Sequence, residues 1–479
     1  MRDAYDHIIL GAGIAGLSLA YKLARAGKSV LVLEKDAVVG GLAKTLTIGE
    51  FQFDYCAHRF HTPDPAVLRE MKEMMGENFI EHKHRCRIHM FGKYLKYPFE
   101  LQNLLRAMPP TQAIRSGLSF VWNMLTRRKG ERPNNYRDWF VYHFGSQLYR
   151  VMCEPYTRKI WGMDPRLISS DWADQRFQGP NVRKLIKKTI AKLLHLDFSS
   201  FALEDKELAP DAANFYYPKR GGIQAMPERF VEIIREHHDE VLTSVQITAI
   251  DAAKRDVTFT HDDSTHTVHA KESLITTIPL HAYIGLLKSD VPSEVHSALQ
   301  GLRYMDIIFV MLFIKKPSIS NDKWLYFANH SIAFNRAVEF KNWSETMAPK
   351  NKTSLCLDIT VTPENTDLCQ LPHEALIKRC AEDCERVQLC TKEEVYDGRV
   401  FYVPFAYPVY DLEYRAKLTT IVESIESFPG VYCIGRTGVF RYQNSDGSID
   451  MGFEMARRLL DPICKERSLF SYSMKGVSY

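Results

Sequence analysis

Apolar and polar positions change period twice within the first 35 residues. His7 to Leu10 forms a short apolar run and predicts a strand, which leads into Gly-Ala-Gly-Ile-Ala-Gly at 11–16. Leu17, Leu19, Ala20, Leu23 and Ala24 then recur at helical spacing up to a stop at Gly27. Ser29 to Leu33 predicts a second strand that ends in Glu34. Further along, a Gly40-Gly41 pair precedes FQFDYCAHRFHT at 51–62, and the stretches 64–79 and roughly 100–200 read as mainly helical. From 215 the pattern shortens. FYYPKRGGIQAMPERF leads into a helix, and alternating runs at 244–251, 256–261 and 273–279 predict strands. A second strand-rich stretch covers about 303–365, and VYCIG at 431–435 precedes a closing helix through Leu460. Helical and β-rich stretches interleave, so the N-terminal unit is expected to be completed by the C-terminal end.

Composition narrows the class. The 479 residues suggest two to four domain-sized units, and 45% hydrophobic with 25% charged residues is the balance of a globular enzyme. Disordered tails, collagen-like fibres and disulfide mini-domains are thereby excluded. A net charge of +4, from 62 Lys+Arg against 58 Asp+Glu, gives no footprint for nucleic acid. The ten cysteines are scattered, without CxxC or zinc spacing, so no metal is expected and a reducing, cytoplasmic setting is. Asp3 and Asp6 stand where an export signal needs positive charge, and no apolar run reaches the roughly 18 residues of a spanning helix. No integral membrane segment is expected.

The glycine turn carries the first chemistry. Gly11 allows a tight turn, Gly13 lets backbone approach a pyrophosphate, and Gly16 lets helix and strand pack closely. Amides at the helix N-terminus would hold the phosphates, while Glu34, 18 residues beyond Gly16, would accept from a ribose hydroxyl. A turn without ligand is the plainer alternative, which the full strand–turn–helix–strand context disfavours.

The GAGIAG turn, Glu34-Lys35, Gly40-Gly41, a His after an Asp-aromatic pair and the Gly435 block together resemble FAD-dependent amine-oxidase and protoporphyrinogen-oxidase-like flavoproteins. Within that superfamily the chain is similar to UDP-galactopyranose mutase and its relatives. The resemblance implies an α/β fold: a Rossmann-like, glutathione-reductase-like FAD domain assembled from 1–95, 215–285 and 425–465. A mainly helical insertion at 96–214 and a β-sheet substrate domain at 286–424 would complete it. FAD would be held by Gly11, Gly13, Gly16, Glu34, Lys35, Gly41, His58, Ile247, Gly435, Arg436, Asp446 and Ser448. A helix beginning near Ile449 would point its positive end at the flavin.

The same resemblance implies a substrate side. KIWGMDPRLISSDWADQRFQGPN at 159–181 is similar to a mutase segment that places Arg176 over the flavin, with Asn181 at its end. The stretch at 322–340 would supply Arg336, those at 406–411 and 441–446 would supply Tyr407 and Tyr442, and KYPFELQN at 96–103 would offer Tyr97 and Phe99 to the nucleotide. Two arginines and two phenols suit a diphosphate. The implied partner is a small anionic molecule, a nucleotide-diphosphate sugar, whose pyranose and furanose rings interconvert through a reduced-flavin N5 adduct. His58, Arg176 and Arg336 would be catalytic, and NAD(P)H is a candidate external reductant. Taken singly, Arg176 could pair with Asp174, Arg336 could bridge to Glu339 at helical spacing, and the tyrosines could be core aromatics.

Two departures leave alternatives open. Cys56-Ala57-His58 stands where the mutases have Gly-Gly-His, and Glu100 replaces an amide. Net redox chemistry, as an FAD-dependent oxidase or desaturase of an amine, sugar or ring, is the second reading. A cofactor-free binding protein of the GDP-dissociation-inhibitor type is the third. Cys56 itself reads as a buried small side chain, a redox-sensitive thiol or a flavin tether. The basic amphipathic stretch at 181–196 reads either as a solvated helix or as a membrane-surface or polyanion site.

Overall fold

The computed structural model describes residues 1–55, 57–97, 104, 107–126, 133–176 and 214–461. Two seven-stranded sheets organise them. The first sheet runs, in spatial order, through Gln246–Asp251, Asp256–His261, Ser264–Thr276, Ala4–Leu10, Val30–Leu33 and Glu240–Leu242. Val431–Cys433 pairs in parallel with the end of Ser264–Thr276, which places this late strand in the same sheet as Ala4–Leu10. Val30–Leu33 is buried at all four positions, as expected of a parallel strand covered on both faces. Its apolar run was legible for that reason.

Helix Ile14–Arg25 lies on this sheet between Ala225–Glu236 and the closing helix Ser445–Leu460. A Cβ at Gly452 would run into Ser18 and the Ala15 carbonyl, so the two helices touch backbone to backbone there.

The second sheet is ordered Val395–Pro408, Tyr304–Ile314, Thr353–Thr360, Arg336–Val338, Trp324–Phe327, Cys86–Met90 and Lys93–Tyr97. Residues 86–97 therefore belong to this sheet through the parallel pairing of Cys86–Met90 with Trp324–Phe327, which moves the expected boundary at 95. Helix Tyr414–Glu426, inside the expected β-sheet unit, packs instead on Val431–Cys433 of the first sheet. The helical insertion holds Pro110–Thr126, Tyr136–Phe144, Glu154–Trp161 and Asp171–Arg176.

One irregularity shapes the site. Met305 pairs with Tyr407 but Ile307 pairs with Val403, so three residues bulge opposite Asp306. Asp306 accepts from the Phe405 N–H at 2.8 Å and from the Tyr402 hydroxyl, holding Phe405 at φ 56°.

A buried carboxyl joins the hairpin Thr45–Ile48/Phe51–Asp54 to the 215–223 segment. Asp54 accepts from Tyr217 Oη at 2.6 Å, Thr45 Oγ1 at 2.7 Å and the Ile223 N–H at 3.2 Å. Burial outweighs these bonds and pushes its carboxyl up to about 7. A folded-state value above the unfolded one gives stability that is complete below about 4 and lost as pH rises through about 7. Urea midpoints are expected to fall between pH 4 and 7 in the parent protein and to fall less in Asp54→Asn.

Candidate functional site

A cleft of about 1040 Å³, counting its solvent-open part, runs between the two sheets. At one end the Ala4–Leu10 strand stops at Gly11, whose φ of 99° turns the chain into helix Ile14–Arg25. Gly16 is closed in by the Gly11 carbonyl and the Ile9 side chain, whereas nothing lies within 4 Å of where a Cβ on Gly13 would stand. Gly13 lines the cleft together with Gly41, whose φ is 61°. Glu34 accepts from the Ala12 N–H at 2.7 Å and the Asp36 N–H at 2.9 Å, so its carboxylate is fixed beside the turn.

A second helix N-terminus enters from the other side. Ser445–Leu460 starts four residues before the expected Ile449, because Asn444 adopts extended backbone and ends the loop there. Asn444, Ser445 and Ser448 line the cleft with Gly435 and Arg436. Arg436 donates to the Gln443 carbonyl at 3.0 Å and to the Ala406 carbonyl, while its Nε is buried without a partner. Two helix N-termini, an open glycine and an unused guanidinium N–H fit a dinucleotide bearing phosphates and a polar ring edge.

His58 lines the same cleft, flanked by Ala57 and Arg59. Arg59 is a residue that the sequence pattern did not single out. It is buried, its guanidinium lies 5.7 Å over the Trp324 ring, and its charge acts on Asp446. Burial pushes the Asp446 carboxyl up to about 7, with Arg59 opposing that rise.

Several expected cofactor residues do not reach the cleft wall. Gly11 and Gly16 build the turn, Lys35 is exposed, and Asp446 does not line the cleft, although Ser445 and Ser448 do. Ile247 pairs with Phe259 on an antiparallel strand, and it is Val245, two residues earlier, whose N–H meets the Glu34 carbonyl at 2.9 Å. Tyr97 packs edge-on against Tyr326, 5.5 Å away.

The far end of the cleft is cationic and aromatic. Arg336 opens its strand directly opposite Asp358, and its Nε donates to Asp358 Oδ2 at 2.7 Å. Burial raises the Asp358 carboxyl, and the Arg336 guanidinium opposes that. The alternative of an Arg336–Glu339 bridge is replaced by this pair, since 336–338 is strand rather than helix. Glu339 accepts instead from the Ile319 and Ser320 N–H groups and from Thr353 Oγ1. Tyr407 and Tyr442 face each other with centroids 5.4 Å apart, and Arg436 lies 4.9 Å from each ring.

A smaller space of about 460 Å³ continues from there, sharing Arg336, Tyr407 and Tyr442 and walled by Tyr156, Trp161, Trp172 and Tyr326. Among the described residues lining the two spaces, Asp358 is the sole carboxylate, and Arg336 pairs with it. Helix Asp171–Arg176 ends at Arg176, whose side chain lies outside the described structure, as do Cys56, Phe99, Glu100, Asn181 and the stretch 181–196. Asp174 accepts from Trp139 Nε1 at 2.8 Å.

Lys159 fixes the wall of the smaller space. From helix Glu154–Trp161 its buried ammonium donates to the carbonyls of Phe327, Asn329 and Phe334 at 3.0, 2.9 and 2.6 Å. That ties the helix carrying Tyr156 and Trp161 to the segment leading into Arg336. Lys159→Met leaves three carbonyls without this donor and is expected to cost about 2–4 kcal/mol in urea unfolding.

A glycine-cradled cleft between a doubly covered sheet and a second, mixed sheet defines the class. The chain belongs to the flavin-containing amine oxidoreductase family, which it matches over residues 14–432, and it is accordingly an FAD-dependent flavoenzyme. It is 29% identical over 171 residues to UDP-galactopyranose mutase of Mycoplasma pneumoniae, covering 34% of this chain and 41% of the mutase. Less than half of that relative's length is thus spanned. Protoporphyrinogen oxidase 2 of Arabidopsis thaliana is 20% identical over 94% of this chain and 91% of its own. A crystal structure of reduced UDP-galactopyranose mutase superposes with a TM-score of 0.82 at 22% identity, covering 95% of both chains, a likeness of fold.

Proposed function

We propose that this flavoenzyme is mutase-like and interconverts the ring forms of a nucleotide-diphosphate sugar. The observation that carries the reading is the charge of the far wall. Arg59, Arg336 and Arg436 line the cleft with the Tyr407–Tyr442 pair, and among the described lining residues the one carboxylate is already paired. Such a wall favours a diphosphate and disfavours a cationic amine.

Arg336, preset by Asp358, holds phosphate oxygens with a forked donor, and Arg176 is the second arginine that the sequence resemblance assigns to this task. Tyr407 and Tyr442 orient the diphosphate by hydroxyl donation, and the aromatic walls of the smaller space take the flat base by stacking. Negative charge on the diphosphate grows as its bond to the sugar breaks, and Arg336 stabilises that charge where it develops. When bound and reduced, FAD supplies an electron-rich ring for reaction at the anomeric carbon. His58 holds the ring edge rather than acting as an independent base.

A second reading, an FAD-dependent oxidoreductase, is supported by the full-length similarity to protoporphyrinogen oxidase. The intact glycine cradle counts against a cofactor-free binding protein. Nucleotide sugars should be offered to oxidised protein and to protein reduced with dithionite or NAD(P)H, with product analysis and an oxygen electrode. Turnover only after reduction, without oxygen uptake, is expected. Oxygen consumption or stoichiometric flavin bleaching by substrate would select the oxidoreductase instead.

A further inference from the structure

Helix Pro110–Thr126 is built inside out. Its inward stripe is mainly polar, with Ala113 as an apolar contact. Ser116 is buried, Ser119 Oγ lies 3.3 Å from Ser146 Oγ, and Asn123 Nδ2 donates to the Tyr142 carbonyl at 2.9 Å. The opposite stripe is apolar and faces out. Ile114, Leu118, Val121, Trp122 and Leu125 recur at helical spacing, with exposures from 49% at Val121 to 75% at Leu125. A helix against a core ordinarily buries its apolar face, so a contiguous outward stripe of this size marks a contact surface.

Charge selects what covers it. Between Glu100 and Glu131 the sequence carries Arg106, Arg115, Arg127, Arg128 and Lys129 and no carboxylate. A second copy of the chain would bring that same positive charge against itself. The chain's own apolar-faced stretch at 181–196 is equally unsuited, since it carries Arg183, Lys184, Lys187, Lys188 and Lys192, again without a carboxylate. A surface that takes both apolar side chains and cations is an anionic lipid interface, where Trp also sits favourably. Among the described residues no helix is long and apolar enough to cross a membrane, so the contact is peripheral.

We infer that the outward face of Pro110–Thr126 docks on an anionic membrane surface. Leu118, Trp122 and Leu125 enter the acyl boundary, and the exposed Arg115 on the same helix meets a lipid phosphate. This inference is independent of which reaction the cleft performs.

The test floats the flavin-loaded full chain with vesicles of phosphatidylcholine, alone or mixed with phosphatidylglycerol. Binding to the anionic vesicles, weakened by salt and cut about tenfold or more in Leu118→Gln/Trp122→Gln with flavin absorbance retained, is expected. Bromolipid quenching of indole emission in the parent protein, reduced in Trp122→Phe, gives a reading that needs no polar variant. The inference is overturned if the parent does not float with anionic vesicles or if the double variant floats equally well. It is also overturned if sedimentation shows a dimer that the double variant converts to monomer without any vesicle binding by the parent.

Discussion

Arg336→Ala is expected to lower kcat/KM by about 10²–10³-fold while the flavin spectrum of the purified protein persists. The guanidinium lies at the junction of the two spaces, and no part of the glycine cradle depends on it. The same change leaves Asp358 buried without its cation. A stability loss of about 3–5 kcal/mol should accompany the kinetic loss. The two effects separate in the double variant Arg336→Ala/Asp358→Asn. Removing the stranded carboxylate should return much of the urea midpoint and none of the turnover. Arg336→Lys keeps the charge but loses the fork, so it should retain the fold and recover little activity. Full turnover in Arg336→Ala would show that the anionic group binds elsewhere.

What could be read from the sequence followed from periodicity. His7 to Leu10, the GAGIAG turn and Val30–Leu33 are local, and their patterns are those of a covered parallel strand and an amphipathic helix. The run 256–261 alternates cleanly and coincides with a strand. Val395–Pro408 was not legible as one 14-residue strand, since Gly398 and Pro404 interrupt it and its place is secured by pairing with Tyr304–Ile314. The partner of Arg336 is hidden in the sequence for a related reason. Helical spacing suggested Glu339, whereas Asp358 lies 22 residues away and becomes a neighbour only through antiparallel register. Arg59 does not stand out in the sequence because a lone arginine among aromatics has no pattern. Its relation to Asp446 exists only once the hairpin after Thr45 and the closing helix are brought together. The inverted helix 110–126 reads as an ordinary amphipathic helix in sequence, because periodicity gives the stripe and not the side that faces solvent.

The glycines of the turn should separate folding from cofactor binding when each is given a methyl group. Gly13→Ala adds a Cβ into space that no protein atom occupies, at a φ of −69° that alanine adopts freely. The fold should therefore stand, with an apoprotein melting point within about 2 °C of the parent, since nothing in the protein is displaced. The methyl group would instead occupy the approach that a pyrophosphate needs, and FAD affinity should fall by about 100-fold or more. Gly16→Ala meets the Gly11 carbonyl and the Ile9 side chain, and neither can retreat without opening the contact between the first helix and Ala4–Leu10. Loss of about 3 kcal/mol or more of stability is expected there, with flavin lost as a consequence of unfolding. Calorimetry of the apoproteins with flavin titration measures both quantities. If Gly13→Ala bound FAD normally, the phosphates would not cross the turn at Gly13, and the cofactor's path along the cleft would have to be redrawn.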